Sequence, residues 1–350
     1  MPPDQSDYDV RALKILDCTL RDGGNVNGWR FDWPTIKRLS FDLASAGVDY
    51  VEVGYFGGSG SNRVENPGPT HNCDRAFFAQ LSPSEFLASR IAVMLNPKRV
   101  ALEQLREVSE LPIGLVRVAA YPWDFPAALT SIEFLARQGL AVSANVMAIS
   151  YASLDKVAAM AREARLAGAT FFYVVDSFGA LTPERVSDYV SAALQGGLTV
   201  GFHGHDNLGL TLSNAYAALV SGAGCLDASV RGMARGAGNV PLETLLASLH
   251  KRFGANKYDV WRVARLADEV VQPLVPPRNS DASLMNIACG LYDLHYYFSA
   301  PARQMSARYG VSIEALLGAL GRLKPTAVNE ALVESVAREM AGVEVSVYQK

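Results

Sequence analysis

A closed barrel of eight parallel strands, the TIM (β/α)8 fold, followed by a helical C-terminal domain, is the architecture this sequence predicts. Three observations predict it. The first stretch of the chain repeats one unit, a capped amphipathic helix, a glycine near its end and a short apolar run suited to a buried strand. Eight such runs can be counted, at residues 15–20, 50–55, 91–95, 115–119, 142–149, 171–176, 200–203 and 226–230, within the roughly 250 residues that a barrel occupies. The first run is followed by Arg21-Asp22-Gly23-Gly24, not by the Gly-x-Gly-x-x-Gly turn with which a doubly wound open sheet usually begins.

The elements follow in order. A first helix opens at Asp32 with Pro34 just inside it, presents Ile36, Leu39 and Leu43 on one face and stops at Gly47. The same pattern returns with Leu154, Val157 and Ala161 ending at Gly168, and with Thr182 and Pro183 opening a helix that stops near Gly196. After Lys257 helices follow one another without strands, separated by a proline-rich break at residues 272–277 and by Tyr309-Gly310. Ile313, Leu316, Leu317 and Leu320 share one helical face, a packing stripe. The expected division is a polar tail over residues 1–13, a barrel over 14–257 and a helical domain over 258–350.

Composition narrows the function. The chain has 350 residues, 49% of them hydrophobic, enough for one large core and an appendage. Its 32 basic and 35 acidic residues form no long run of either sign, so neither nucleic acid nor an anionic membrane is an expected partner. Cysteines 18, 73, 225 and 289 make no Cys-x-x-Cys pair, which argues against structural zinc and fits reduced thiols in a cytoplasm. Residues 1–7 lack the basic start and apolar stretch of a signal peptide, so no export is expected. The most apolar window, 208–220, falls short of the roughly 20 residues of a membrane span. Small-molecule chemistry is the default.

In such a barrel the active site lies at the C-terminal ends of the strands. Arg21 and Asp22 bring a cation and an anion there at strand one, while Asp17 lies deeper and reads as structural. At strand seven, His203 and His205 point to the same side because strand side chains alternate, so both can reach one metal ion. A hydrogen-bonded pair of ordinary histidines has the same spacing; the strand-end position, with a carboxylate at a neighbouring mouth, favours metal. Two nitrogens and a carboxylate suit a divalent ion, manganese first, with magnesium, cobalt or zinc as alternatives. At strand eight, the glycine-rich run 231–239 fits either close approach to a ligand or a tight structural loop, and Asn239 can offer its carbonyl oxygen to the metal.

Together these residues resemble the DRE-TIM metallolyase superfamily of metal-dependent aldolases and acyl-CoA lyases, whose strand-one signature Thr-Leu-Arg-Asp-Gly stands here at residues 19–23. Within it the chain is most similar to the 4-hydroxy-2-oxovalerate aldolase family, at residues 51–54, 175–180, 203–207, 238–243 and as far as Tyr292 and 306–310. The resemblance implies an aldolase acting on a pyruvate-type 2-keto acid and an aldehyde. It implies that Asp22, His203 and His205 bind the metal and that Arg21 stabilises an enolate. It also places Ser177 near the keto acid, Glu52 beneath the site and Tyr292 near the mouth. A dehydrogenase that consumes the aldehyde, and self-association through the helical domain, are further expectations.

One position departs from that pattern. The resembled aldolases carry a histidine a few residues after Arg-Asp-Gly, where this chain has Asn25, which cannot act as a base. Asn25 is then expected to position substrate, and the hydroxyl proton to pass to a metal-held water or to His71, with His295 as an alternative and His250 placed in a helix. Two other readings compete with the aldolase. A Claisen-type reaction on an acyl-CoA is disfavoured because residues 231–238 lack the cysteine that such lyases carry there, and a non-catalytic barrel is raised by the missing histidine.

Overall fold

The computed structural model describes residues 10–58, 64–275 and 284–342. Most of the expected polar tail, and Pro276 and Pro277 of the expected break, lie outside them. Eight parallel strands close in sequence order: β1 (Lys14–Asp17), β2 (Tyr50–Phe56), β3 (Ile91–Leu95), β4 (Leu115–Ala120), β5 (Val142–Val146), β6 (Phe171–Asp176), β7 (Thr199–Gly204) and β8 (Cys225–Ala228). The ring shuts where Lys14 of β1 registers with Cys225 of β8.

The helix Trp33–Ser45 shows why the units form. Asp32 caps it by accepting from the Thr35 amide at 2.9 Å, and Pro34 occupies its first turn. Ile36, Leu39 and Leu43 are fully buried against the sheet, worth roughly 1.5–3 kcal/mol each. Leu39→Ala would therefore cost about 2–5 kcal/mol once the cavity it leaves is included.

Three strands are shorter than the apolar runs that mark them. β1 stops at Asp17, where the chain turns into the helix Thr19–Asp22; β5 stops at Val146, two residues before Ala148 at φ 51°; β8 stops at Ala228, ahead of Arg231 at φ 55°. All three leave the sheet at the same rim. Leu20, Ala148, Ile149 and Val230, beyond these ends, are buried, so hydrophobicity continues where the ladder does not.

Alternation along the strands sorts two layers. One set of side chains packs against the helices, and the other fills the barrel, with Leu16, Ala92, Leu115, Phe171 and Cys225 at the lower level. Above them the interior turns polar: Arg117 lies over the Tyr173 ring at 4.4 Å, and Glu52, Asn145 and Asp227 stand around it.

The helical end divides differently from the expected 257/258 boundary. Residues 258–275 belong to the barrel: Val263, Leu266 and Val271 join its core, and the Asp259 amide donates to the Ala46 carbonyl at 2.8 Å. A separate core begins at Met285 and gathers Leu294, Phe298, Leu316, Leu317, Leu320 and Val333 from the helices Leu284–Leu291, Ser299–Tyr309, Ile313–Arg322 and Glu330–Met340. Residues 286–297 of this unit reach back over the mouth. Asp293 takes hydrogen bonds from Ser150 and Tyr151, both at 2.9 Å, and Asn207 donates to the Asn286 carbonyl at 3.1 Å. Among the described residues no helix is long and apolar enough to cross a membrane.

Candidate active site

The turn after β1 is fixed first. The Asp17 carboxylate accepts from the Thr19 amide at 3.0 Å and hydroxyl at 2.6 Å, and that hydroxyl accepts from the Val230 amide at 2.8 Å. The turn is braced from the other side by Trp29, whose indole donates to the Arg21 carbonyl at 2.8 Å. The indole lies so close to Gly24 that an added Cβ would meet its Cδ1 at 2.0 Å, which is why glycine stands there. Arg21 and Asp22 are thereby aimed into the barrel.

Beneath them runs a chain of alternating charges. Arg21 Nε donates to Glu52 Oε2 at 2.8 Å; Glu52 Oε2 also accepts from Arg117 Nη1 at 2.9 Å. Arg117 Nη2 donates to Asp227 Oδ2 at 2.6 Å, and the same oxygen meets His203 Nδ1 at 2.9 Å. Every member is buried. Burial works against the Arg21 charge, yet Asp22 and Glu52 hold its pKa well above the usual value, so the guanidinium stays charged. Asp227 fixes the His203 ring so that Nε2 faces Asp22 Oδ2, 3.4 Å away.

His205 is set by its other nitrogen, with Nδ1 at 3.2 Å from the Gly238 carbonyl. Burial, then the nearby Arg235 charge, push its pKa well below the ordinary value and keep it neutral. Its Nε2 is buried, has no hydrogen-bond partner and lies 3.8 Å from Asp22 Oδ2. Asn239 donates to Asp22 Oδ2 at 3.3 Å and leaves its own Oδ1 buried and unpartnered. Burial would raise the Asp22 carboxyl, but Arg21 and the two histidines hold it well below the carboxylate range. Two orphaned buried atoms beside an ionised carboxylate and an oriented imidazole fit a divalent ion, since leaving them unsatisfied is costly. Cys18 Sγ also lies within 4.8 Å of ligand atoms of Asp22 and His203. Its thiol donates to the Ala228 carbonyl at 3.2 Å, and burial pushes its pKa well above the ordinary value.

Above this cluster opens a cavity of about 510 Å³, lined by Arg21, Asp22, His203 and Ser177 on the barrel side. Ser177 Oγ accepts from the Ala148 amide at 2.9 Å. Asn25 lines it too, donating to the Asp22 carbonyl at 2.9 Å and accepting from the Tyr297 hydroxyl at 3.1 Å.

Two expected residues stand elsewhere. Tyr292 packs on Gly318 and Gly321 of the helix Ile313–Arg322 and does not line the cavity, because the chain reverses at Asp293 (φ 53°); the phenol at the mouth is Tyr297. His71 does not reach the cavity. Thr70 is buried and bonds the Leu20 carbonyl at 3.2 Å, and His71 lies edge-on to Trp29 at 5.1 Å, outside the cavity lining. Beside His203, the wall carries His295, stacked on Tyr297 at 4.7 Å, with Nδ1 accepting from the Tyr297 amide and Nε2 3.4 Å from Arg235. His250 is remote, in the helix Leu242–Phe253.

Arg117, Asp227, Arg235 and Tyr297 were not singled out from the sequence. A signal existed for the first two: each is a lone charge in an apolar strand at an inward-facing position. Arg235 and Tyr297 sit on irregular backbone, where no periodicity assigns a direction.

Fold and site define a (β/α)8-barrel enzyme with its polar groups gathered at the C-terminal ends of the strands. The HMGL-like family model matches residues 12–270, and the chain belongs to that family. A 4-hydroxy-2-oxovalerate aldolase of Bacillus thuringiensis is 30% identical over 340 residues, covering 96% of this chain and 98% of its own. Among solved structures, the N-terminal domain of a candidate aldolase from Bacteroides vulgatus superposes with TM-score 0.70 at 30% identity, covering 82% of this chain and 95% of that one. The hydroxymethylglutaryl-CoA lyase of Pseudomonas aeruginosa, at 20% identity and TM-score 0.60 over 77% of this chain and 95% of that one, shares the fold.

Proposed function

We propose that this chain is a divalent-metal-dependent aldolase that makes or breaks a carbon–carbon bond between a pyruvate-type 2-keto acid and an aldehyde. The observation that carries the reading is the gathering of His205, whose buried and unpartnered Nε2 lies 3.8 Å from Asp22 Oδ2, and of Asn239, whose Nδ2 donates to that oxygen while its Oδ1 stays buried and unpartnered, beside the charged Arg21. Asp22, His203, His205 and Asn239 would hold the ion, with manganese the first choice. Bound there, the ion supplies Lewis-acid stabilisation to the enolate of the keto acid.

The residues divide the remaining work. In the condensing direction a proton leaves C3 of the keto acid, C3 bonds to the aldehyde carbon, and the aldehyde oxygen takes up a proton. Arg21, held on one side by Glu52 and Asp22, directs its free N–H groups at the oxygen where negative charge develops. Ser177 and Asn25 border the keto acid. Proton exchange at the hydroxyl falls to His295 with Tyr297, in place of His71. Burial and Arg235 push the His295 pKa well below the ordinary value, so the imidazole is neutral.

Support for a cytoplasmic setting comes from four buried cysteines, none in a disulfide. Exposed Leu284, Ile287 and Leu291 on one helix favour self-association through the helical domain, and a dehydrogenase that takes the aldehyde would complete the chemistry. The test is isotope exchange: with a divalent metal, the enzyme should wash the methyl protons of pyruvate into heavy water. Absence of exchange across several 2-keto acids sinks the proposal, and thiol release from acyl-CoA substrates would turn it towards Claisen chemistry.

A further inference from the structure

The cavity wall carries an imbalance of charge that the keto-acid chemistry does not use. Four cations line it, Arg21, Lys98, Arg117 and Arg235, against a single carboxylate, Asp22. Three of the four have counter-ions. Arg21 pairs with Asp22 and Glu52, Arg117 with Glu52 and Asp227, and Lys98 with Asp124 at 2.6 Å. Arg235 has no carboxylate oxygen within 4.0 Å among the described residues.

What Arg235 does contact is neutral. Nη2 donates to the Ser177 carbonyl at 3.2 Å and Nη1 faces His295 Nε2 at 3.4 Å. A guanidinium has five N–H groups, so three remain for a ligand. Its field reaches across the mouth, lowering the pKa of His295 and bearing on Tyr121. A partly desolvated cation without a counter-charge is unfavourable unless a ligand supplies one. A divalent ion would add two positive charges to the same cavity and a 2-keto acid returns one carboxylate, so the excess at Arg235 remains.

Position fixes which ligand this is. Arg235 touches both Ser177, on the keto-acid side, and His295, on the side where the hydroxyl proton is handled. Tyr121 and Trp123, stacked with centroids 4.6 Å apart, line the same cavity, and its 510 Å³ is within the range that accommodates much larger ligands than a simple alkyl aldehyde. Building on the aldolase reading, we infer that the aldehyde carries an anionic oxygen group, a carboxylate or a phosphate, remote from its carbonyl, and that Arg235 receives it.

The experiment has two arms on the metal-loaded enzyme. Exchange of pyruvate methyl protons tests the aldolase reading without any aldehyde. Then kcat/KM is measured for two matched pairs, succinic semialdehyde against butanal for carboxylate, and glyceraldehyde 3-phosphate against glyceraldehyde for phosphate. The anionic member of at least one pair should be preferred by roughly 10- to 100-fold, the scale of a charge-assisted hydrogen bond, and Arg235→Gln should abolish the preference. Arg235→Lys, which retains charge but loses the fork, should fall between. Because each ratio is taken within one variant, loss of folded protein cancels. Exchange without preference for either anionic aldehyde, or an Arg235→Gln ratio equal to that of the parent, overturns the inference. Absence of exchange overturns the aldolase reading, and this inference with it.

Discussion

Asp227→Asn separates the proposed metal centre from the network that orients it. The substitution keeps the shape of the side chain and removes its charge, at an oxygen that takes both Arg117 Nη2 at 2.6 Å and His203 Nδ1 at 2.9 Å. Two consequences follow. Arg117 is fully buried and keeps only Glu52 as counter-ion, and breaking a buried pair costs about 3–5 kcal/mol. Because asparagine retains an acceptor oxygen, the lower figure applies, and about 3 kcal/mol corresponds to a Tm lower by roughly 6–12 °C at 2–4 °C per kcal/mol. His203, meanwhile, loses the partner that fixes Nε2 towards Asp22, and loss of such a support typically weakens metal binding about 10- to 100-fold. Competition against a chromophoric chelator, with thermal melts of the metal-free protein, reads the two separately. An unchanged metal affinity refutes the assignment of His203 as a ligand oriented by Asp227, whatever happens to the melting temperature.

Four further outcomes are expected. His205→Ala should lose metal and turnover while the far-ultraviolet spectrum stays that of a barrel; a variant retaining full metal content shows the ligand set to be misassigned. Arg21→Lys keeps a charge but not the planar fork, so kcat should fall by about two orders of magnitude or more while metal affinity changes little, and equal losses in both would contradict its role at the enolate oxygen. His295→Ala should lower turnover on the order of a hundredfold, with His71→Ala close to the parent, and the reverse ranking would return the proton to His71. Burial raises the Asp17 carboxyl from 3.8 to about 7, so the folded state holds a proton that the unfolded chain has lost, and stability should fall as pH rises through that window. Asp17→Asn should flatten that part of the pH–stability curve, and an unaltered slope would show that Asp17 is ionised in the folded protein.

The barrel was legible because its signals are local: caps, helix stops and apolar runs repeat in a fixed order. Strand ends were less so, since Leu20 and Val230 are as buried as they would be in the sheet. Of the proposed ligands, His203 and His205 could be read from alternation at the end of β7, whereas Asp22 and Asn239 lie beyond β1 and β8 on non-strand backbone and could be read from the Arg-Asp-Gly and glycine-rich runs around them. Arg117 and Asp227 obey the same alternation, and their partners lie 65 and 110 residues away in the chain, so their pairing is a product of closure. His295 and Tyr297 depend on a reversal at Asp293, a left-handed residue that no turn-forming glycine announces.

Because residues 286–297 cross the mouth from a separately packed helical core, the two halves of the proposed reaction are encoded in different stretches of the gene. The carbon-acid half rests on residues at β1, β2, β4, β7 and β8, bound into one buried charge network. The half that meets the second substrate is shared between Arg235, in the loop after β8, and a peripheral segment anchored through Asp293, Asn286 and the contact of His295 with Arg235. Substitutions in that segment can re-tune which acceptor is taken without disturbing the buried chemistry, so divergence of substrate range in such barrels should concentrate there.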